Sequence, residues 1–306
     1  MGNSLKITIL TPTYNRAHTL PRVYESLKKQ TFKDFKWIIL DDGSTDNTKD
    51  VVQSFQQENP FEIEYYQYPN RHKFLTVLEG IRMVETPYHM VVDSDDSYPE
   101  KSLELLYEEA EQLEDKNSFI GIMGLSVDEQ GKIVGDSYPN KGFDGSILDM
   151  RYKYRVRGDK FGIFFSDNYL KYLQDKDYSK YEAKGYIPQS VIFNDYDAKG
   201  LKTRFINKVT RVYHKDEGDN DSVSNTRWTG KNVFGLREGH ISFLNSYGSK
   251  LFSYPKALLR NIIGYQFYSF KNGNKLSEIM TDIKHPVIKV ISWAILPLSF
   301  VYHKMK

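Results

Sequence analysis

The first half of the chain alternates short apolar runs with helical stripes. Apolar residues at i, i+3, i+4 and i+7 recur between runs that are too short for helices. The short runs predict strands at residues 6–10, 37–40, 63–67 and 88–92. Because strands and helices alternate regularly, we expect a mostly parallel sheet with helices on both faces.

Residues that cap or interrupt helices predict where the helices begin and end. Thr19 is the expected N-cap of the first helix, and Thr45 or Asp46 caps the second. Pro87 stops the third helix, and the fourth opens at Pro99.

The second half is less regular. Residues 119–150 resemble strands and turns, residues 151–215 mix strands with loops, and the polar stretch 216–232 predicts a mobile loop. Helical signals return over residues 234–271.

Polar clusters follow three of the predicted strands: residues 13–15, 41–42 and 93–96. In parallel sheets, ligands bind in the crevice beyond the carboxyl ends of the strands. We therefore expect the three clusters to converge on one rim and to form the functional site.

The residue types at this rim suit a nucleoside diphosphate and a metal. Asp93 and Asp95, two positions apart, can reach one hard cation such as Mg²⁺ or Mn²⁺. Asp41 and Asp42 can accept hydrogen bonds from a base or a ribose, and the Tyr14 ring can stack on a base.

Basic side chains complete this set, because Arg71, His72 and Lys73 precede the third helix and can meet a diphosphate. The simpler alternative is that the acidic pair only caps a helix, with Asp96 and Ser97 as caps for the helix at Pro99. The combination of clusters favours the metal and nucleotide site.

Composition and charge narrow the class of protein. The 306 residues include no cysteine, which excludes disulfides and thiolate chemistry and fits a reducing compartment. The N-terminus lacks the pattern of a signal peptide, so we expect a cytoplasmic protein. The charge distribution does not suit a nucleic-acid binder.

The C-terminal region is basic and apolar. From Gly248 onward, eight Lys and one Arg face only Glu278 and Asp282, a balance of 9 − 2 = +7, so the rest of the +2 chain carries −5. The apolar run 287–302 is short for a membrane span but suits an interfacial helix, with peripheral membrane contact through residues 287–306. The alternatives are a helix packed on the main domain or on a dimer partner.

Two stretches carry a resemblance to a known family. TPTYNRAHTLPRVYESLKKQTFKDFKWIILDDGSTDNT, followed by VVDSDDSYPE, resembles the family 2 inverting glycosyltransferases of the GT-A fold. The match covers residues 5–125 and continues more loosely through RGDKFGIF, YIPQSVIFNDY and LKTRFINKVTRVYH, which resemble a bacterial branch acting on surface polysaccharides. It implies a Rossmann-like, mostly parallel sheet with flanking helices and a helical C-terminal region.

The resemblance also implies an activity and a set of site residues. A sugar would pass from a nucleoside diphosphate, with UDP expected, to a hydroxyl of a glycan or lipid-linked acceptor, with inversion and with Mn²⁺ or Mg²⁺ as cofactor. Its metal ligands would be Asp95 and His214, although an ordinary surface histidine is an equal reading of His214. The residues expected at the nucleotide are Thr11, Pro12, Tyr14, Asp41, Asp42, Arg71, Lys73, Asp93 and Ser94.

The expected catalytic base departs from the family pattern. Related sequences read E-x-E-K-[FY]-x-P-E where this chain reads YEAKGYIPQS, with Lys184 and Gln189 at positions expected to be acidic. Glu182 is the first candidate for the base, with Asp195 and Asp167 behind it, and a solvated loop carboxylate is the alternative for Glu182.

The resemblance divides the chain into a catalytic domain and a helical region. Residues 1–232 would form the catalytic domain, with a nucleotide-sugar half at 1–125 and an acceptor half at 126–232, and residues 233–306 the helical region at the inner face of the membrane. A catalytically degenerate GT-A-like scaffold or glycan-binding protein is the main alternative. A nucleotidyltransferase or a dehydrogenase is disfavoured, because TPTYNRAHT has no glycine after the first strand.

Overall fold

The computed structural model describes residues 4–174, 176–215 and 232–305. These residues form two compact units. The first unit comprises Met1–Tyr178 and Leu201–Asp216, and the second comprises Ser179–Gly200 and Glu217–Lys306.

An eight-stranded sheet forms the centre of the first unit. Its strands are β1 (Ile7–Thr13), β2 (Phe35–Asp41), β3 (Glu62–Gln67), β4 (Tyr88–Val91), β5 (Phe119–Val127), β6 (Gly142–Gly145), β7 (Lys160–Phe165) and β8 (Lys202–Val212). They lie in the order β3-β2-β1-β4-β7-β5-β8-β6. All run in the same direction except β6 and β7, so the predicted, mostly parallel α/β sheet is confirmed.

Helices pack on this sheet and complete the core. They are α1 (Leu20–Lys28), α2 (Thr48–Glu58), α3 (His72–Arg82), α4 (Ser102–Glu111) and α5 (Ser166–Leu173). The side chains of β1 and β2 are almost entirely buried. Gly80 lets α3 approach the sheet closely, since a Cβ atom there would lie 2.3 Å from Leu40 Cδ1.

Two predicted helix starts are wrong by a few residues. The second helix begins at Thr48 with Asn47 as its N-cap, one residue beyond the predicted cap Asp46. The Asp46 carboxylate accepts hydrogen bonds from Thr48 N and Oγ1 and from Ala17 N. The fourth begins at Ser102 rather than Pro99, so Asp96 and Ser97 do not cap it.

The second unit is helical. Its helices are α6 (Ser190–Ala198), α7 (Val233–Tyr247), α8 (Pro255–Lys271), α9 (Leu276–Asp282) and α10 (Pro286–Met305). This confirms the predicted helical C-terminal region, while the domain division at residue 232 stays a prediction. Within the described ranges, none of the helices is both long and apolar enough to cross a bilayer. The loop predicted at 216–232 falls, apart from Asn232, outside the described residues.

Candidate active site

The carboxyl ends of three neighbouring strands carry the polar clusters. Since β2, β1 and β4 are adjacent and parallel, Asp42, Tyr14 and Asp93 follow strand ends that lie side by side. Tyr14 directly follows β1 and is 38% exposed, which leaves its ring accessible to a planar ligand.

Asn15 fastens the loops after β1 and β2 to each other. Its side-chain oxygen accepts a hydrogen bond from Thr45 N at 2.8 Å, and its own N donates to Ser44 Oγ at 2.9 Å. Asn15 has a φ of 53°, a conformation that asparagine tolerates better than most residues. The sequence pattern does not predict this role, and its signal is an asparagine two residues beyond a strand.

Asp41 and Asp42 are buried and bonded to the protein. Asp41 Oδ1 accepts from Ser44 N at 2.7 Å, and its Oδ2 accepts from the Tyr65 hydroxyl. Asp42 Oδ1 accepts from Arg71 N at 3.0 Å and from Thr76 Oγ1 at 2.7 Å. Asp41 therefore uses one carboxylate oxygen to order its own loop and the other to bind β3, whereas the two bonds of Asp42 engage only its Oδ1.

Arg211 is the positive partner of the acidic cluster after β4. It lies on β8, and its side chain is only 3% exposed. Its NH1 is 3.2 Å from both Asp93 Oδ2 and Asp96 Oδ2, and its NH2 donates to Asp159 Oδ2 at 2.8 Å. These three carboxylates hold the pKa of Arg211 above its usual range even though burial opposes this. Arg211 lies outside the residues that the sequence pattern predicts for the site.

Asp93 is held between two cations. Lys73 Nζ donates to Asp93 Oδ1, on the opposite side of the carboxylate from Arg211. Burial alone would raise the pKa of Asp93, but the charges of Lys73 and Arg211 outweigh it and lower the pKa. The Asp93 carboxylate is therefore ionised and fixed in place.

Asp96 is the fully buried carboxylate of the acidic cluster. Its Oδ1 accepts from His214 N at 3.1 Å. Burial raises the pKa of Asp96 to about 7, although Arg211 acts in the opposite direction.

Asp95 differs from its neighbours because its carboxylate forms no ion pair with the described residues. It is half-buried, and burial together with the nearby charge of Asp93 raises its pKa. A cation at this point would relieve both effects. Carboxylate oxygens suit Mg²⁺ or Mn²⁺, and such ions take their remaining ligands from water and substrate phosphates. The donor set at Asp95 therefore fits the predicted cofactor, although no three acidic or histidine side chains in the described ranges gather into a metal cluster.

His214 lies close to this cluster, but both of its ring nitrogens have partners. Nε2 is 2.8 Å from Ser97 Oγ, and Nδ1 is 2.6 Å from Glu129 Oε1. A metal bond to His214 would have to replace one of these contacts. Its role as a ligand stays a prediction.

The other predicted nucleotide residues differ in exposure. Thr11 is buried, and its Oγ1 accepts a hydrogen bond from Trp37 Nε1 at 2.8 Å. Pro12 and Ser94 are buried beside it at the strand ends. Because its hydroxyl binds Trp37, Thr11 faces the core. The guanidinium carbon of Arg71 lies 4.7 Å from the centre of the Tyr68 ring.

One candidate base lies at the wrong edge of the sheet. Asp167 is in the first turn of α5, which follows the end of β7. Because β7 is antiparallel and its Phe165 pairs with Tyr88 at the start of β4, Asp167 lies at the amino ends of the parallel strands. A strand rises about 3.3 Å per residue, which separates it from Asp93 by roughly 15 Å. Asp167 is therefore too far away to serve this rim.

The remaining candidate bases belong to the second unit. Glu182 is exposed and follows a short 3₁₀ turn, Ser179–Tyr181. Asp195 is in α6, where burial raises its pKa against the opposing charges of Lys199 and Lys284. The positions of Glu182 and Asp195 within this unit do not test whether either residue is the base, so both assignments stay predictions.

Helix α7 forms a backing for the segment 179–189 that carries Glu182. Glu238 Oε2, on the buried side of α7, accepts from Lys180 Nζ at 3.0 Å and from the Tyr181 hydroxyl at 3.1 Å. A Cβ atom on Gly235 would lie 1.7 Å from the Tyr186 carbonyl oxygen. The helix therefore contacts the backbone of this segment directly. The sequence pattern predicts this helix within residues 234–271 but not its contact with the segment 179–189.

Comparison with known proteins identifies the family of this site. The family description "Glycosyl transferase family 2" matches residues 8–174, which is more than half of the chain. The chain is 25% identical over 243 residues to a GalNAc(5)-diNAcBac-PP-undecaprenol β-1,3-glucosyltransferase of Campylobacter jejuni, covering 77% of this chain and 72% of that one. It is also 25% identical over 256 residues to the glycosyltransferase GlyA of Streptococcus pneumoniae, covering 80% of this chain but only 36% of that one.

Solved structures share the fold at low sequence identity. The Staphylococcus aureus protein TarS in complex with UDP superposes with a TM-score of 0.58 and 14% identity, over 98% of this chain and 89% of that chain. A mannosyltransferase of Pyrobaculum calidifontis in complex with GDP-Man and Mn²⁺ gives a TM-score of 0.56 and 12% identity, over 99% and 87%. The fold is therefore that of GT-A glycosyltransferases.

Proposed function

The chain belongs to glycosyl transferase family 2. We propose that it transfers the sugar of a UDP-sugar donor to an acceptor hydroxyl with inversion, using Mn²⁺ or Mg²⁺. The observation that carries this proposal is Asp95, a carboxylate without an ion pair beside a fixed Asp93 at the rim of the sheet. A capsule, exopolysaccharide or other surface glycan is the proposed product, since relatives of the chain include a glucosyltransferase named for an undecaprenol-linked glycan.

The donor would lie across the three strand ends. Tyr14 stacks on the base, Asp42 accepts a hydrogen bond from it, and Asp93 binds the ribose. Because Lys73 and Arg211 already hold Asp93, this carboxylate needs no reorganisation when the donor binds. Arg71 and Lys73 face the diphosphate.

Asp95 would hold the divalent cation, and the chemistry that this cation would supply when bound is stabilisation of the negative charge on the leaving diphosphate. The acceptor hydroxyl attacks the anomeric carbon opposite the bond to the diphosphate, and the diphosphate leaves with the electron pair of that bond. Glu182 takes the proton of the attacking hydroxyl. Asp195 is the second choice for this base.

The proposed acceptor is a lipid-linked sugar, which places the enzyme at the inner face of the cell membrane. The +7 charge of the C-terminal region supports this location, because anionic lipids attract basic segments. Peripheral contact through residues 287–306 would bring the enzyme to its acceptor.

The alternative is a catalytically degenerate scaffold, and the amide of Gln189 at a position expected to be acidic favours it. Turnover of UDP-sugars with Mn²⁺, measured as release of UDP, separates the two. We expect slow release by the wild type and by Asp115→Asn, an exposed control far from the rim, and a loss of at least tenfold in Asp95→Asn. Equal release by all three proteins would contradict the proposed site, and no release by any of them would favour the scaffold.

A further inference from the structure

Helix α10 has its apolar side facing outward. Its exposed residues are Pro286, Val287, Val290, Trp293, Ala294, Pro297, Leu298, Phe300 and Val301, a set that we call the outer face. At 100° per residue, these positions fall within an arc of about 160°. Val290 and Leu298 are each 69% exposed, and Trp293 is 50% exposed.

The opposite side of α10 is less apolar than the outer face. Ile288, Ser292 and Ser299 are fully buried there, and Gln266 of α8 donates a hydrogen bond to the Ser292 carbonyl at 2.7 Å. A surface helix of a soluble protein normally buries its apolar stripe and exposes its polar one. Helix α10 differs because its exposed stripe is entirely apolar. Its packed side carries Ile288, Ile295 and Leu296 together with the two serines.

Helix α10 and the region that contains it carry a positive charge. Helix α10 contains no Asp or Glu, and Lys289 borders the outer face. The region from Gly248 onward carries a balance of +7. A second copy of the chain would bring the same positive charge against this face, whereas an anionic surface would complement it.

We propose that the outer face of α10 inserts into the surface of an anionic lipid bilayer, with the helix axis in the plane of the membrane. Only one side of α10 is available, because the other side packs on α8. The outer face is about 22 Å long at 1.5 Å per residue. Trp293 provides the ring that suits the headgroup layer, and Lys289 reaches the lipid phosphates. This membrane contact rests on the proposed function in one respect, because its purpose is access to a lipid-linked acceptor.

Vesicle flotation of the full-length protein tests this proposal without donor or acceptor. We expect the wild type to float with phosphatidylglycerol vesicles, less at 500 mM than at 50 mM salt, and weakly with phosphatidylcholine vesicles, since salt screens the attraction. Val290→Asn with Leu298→Asn should reduce the bound fraction at least tenfold, because each removes an inserted apolar side chain. Val209→Asn, at an exposed position on β8, is the matched control and should leave binding unchanged.

Three outcomes would overturn the proposal. The first is a wild type that does not float with phosphatidylglycerol vesicles, and the second is a Val290→Asn, Leu298→Asn protein that floats as the wild type does. The third is a wild-type dimer in sedimentation that Val290→Asn with Leu298→Asn converts to a monomer without any vesicle binding, because the outer face would then join two copies. UDP release in vesicle-free buffer should be equal in all these proteins, so a failure of the membrane proposal is distinguishable from a failure of the proposed activity.

Discussion

Arg211 and Asp93 lie 118 residues apart in the sequence, yet Arg211 NH1 is 3.2 Å from Asp93 Oδ2. The contact joins β8 to the loop after β4 across two intervening strands, β7 and β5. It explains how several carboxylates can gather at the end of a buried strand, because their charge is balanced from within the sheet.

This contact predicts a large loss of stability on removal of the charge. Arg211→Met should lower the free energy of unfolding by about 3–5 kcal/mol, since it leaves Asp93 and Asp96 without their buried partner. Arg204→Met is the control, because the Arg204–Asp144 pair is partly exposed and should contribute about 1 kcal/mol or less. Urea denaturation measures both. Similar losses in the two variants would contradict the role given to Arg211.

The buried His89 predicts acid lability. It is fully buried between Phe164 and Tyr169, and burial lowers its pKa to about 3. The unfolded chain takes up a proton at this histidine below about pH 6.5, whereas the folded protein does not. The free energy of unfolding should therefore fall as the pH decreases from about 6.5 to 3, by up to about 1.4 kcal/mol per pH unit from His89 alone.

Urea denaturation at pH 7.5, 6 and 5 tests this pH dependence. His89→Gln should be less stable than the wild type at pH 7.5, and the difference should shrink as the pH falls. The exposed His18, changed in His18→Gln, is the control and should keep the slope of the wild type. A His89→Gln variant with an unchanged slope would show that this group does not carry the effect.

The contact of α7 with the segment 179–189 predicts different effects of alanine substitution at two glycines. Alanine normally stabilises a helix relative to glycine by about 1 kcal/mol. Gly235→Ala should instead destabilise the protein by about 1–3 kcal/mol, because the new Cβ would overlap the Tyr186 carbonyl oxygen. Gly239→Ala, whose Cβ would lie 3.0 Å from Pro188 Cγ, should be close to neutral and serves as the control.

The same pair of variants tests the role of the segment. If the segment 179–189 carries the base, Gly235→Ala should reduce sugar transfer to an acceptor more than it reduces hydrolysis of the UDP-sugar by water. Equal losses in the two reactions would indicate a purely structural effect.

The local pattern of the sequence predicts most of the first unit and the position of its site. Strands that alternate with helices require parallel connections, and carboxyl ends of parallel strands share an edge, so the convergence of Asp42 and Asp93 follows from local signals. Arg211 does not follow from them, because its position depends on the pairing of β8 with β5, and no local signal fixes that pairing.

The local pattern also does not show in which direction a strand runs or which side of a helix is buried. Asp167 follows an apolar strand, as Asp93 does, but β7 runs antiparallel and carries it to the other edge. The apolar periodicity of residues 287–302 predicts a helix and does not reveal which side packs on α8. In both cases the deciding interaction is made with a part of the chain that is distant in sequence.

Calorimetric titration of UDP shows whether Asp95 holds a cation that carries the diphosphate of the donor. We expect UDP to bind the wild type and Asp115→Asn in the presence of Mn²⁺ and at least tenfold more weakly without it, and we expect Asp95→Asn to lose this metal dependence. Binding of UDP to Asp95→Asn with an unchanged Mn²⁺ dependence would contradict the claim.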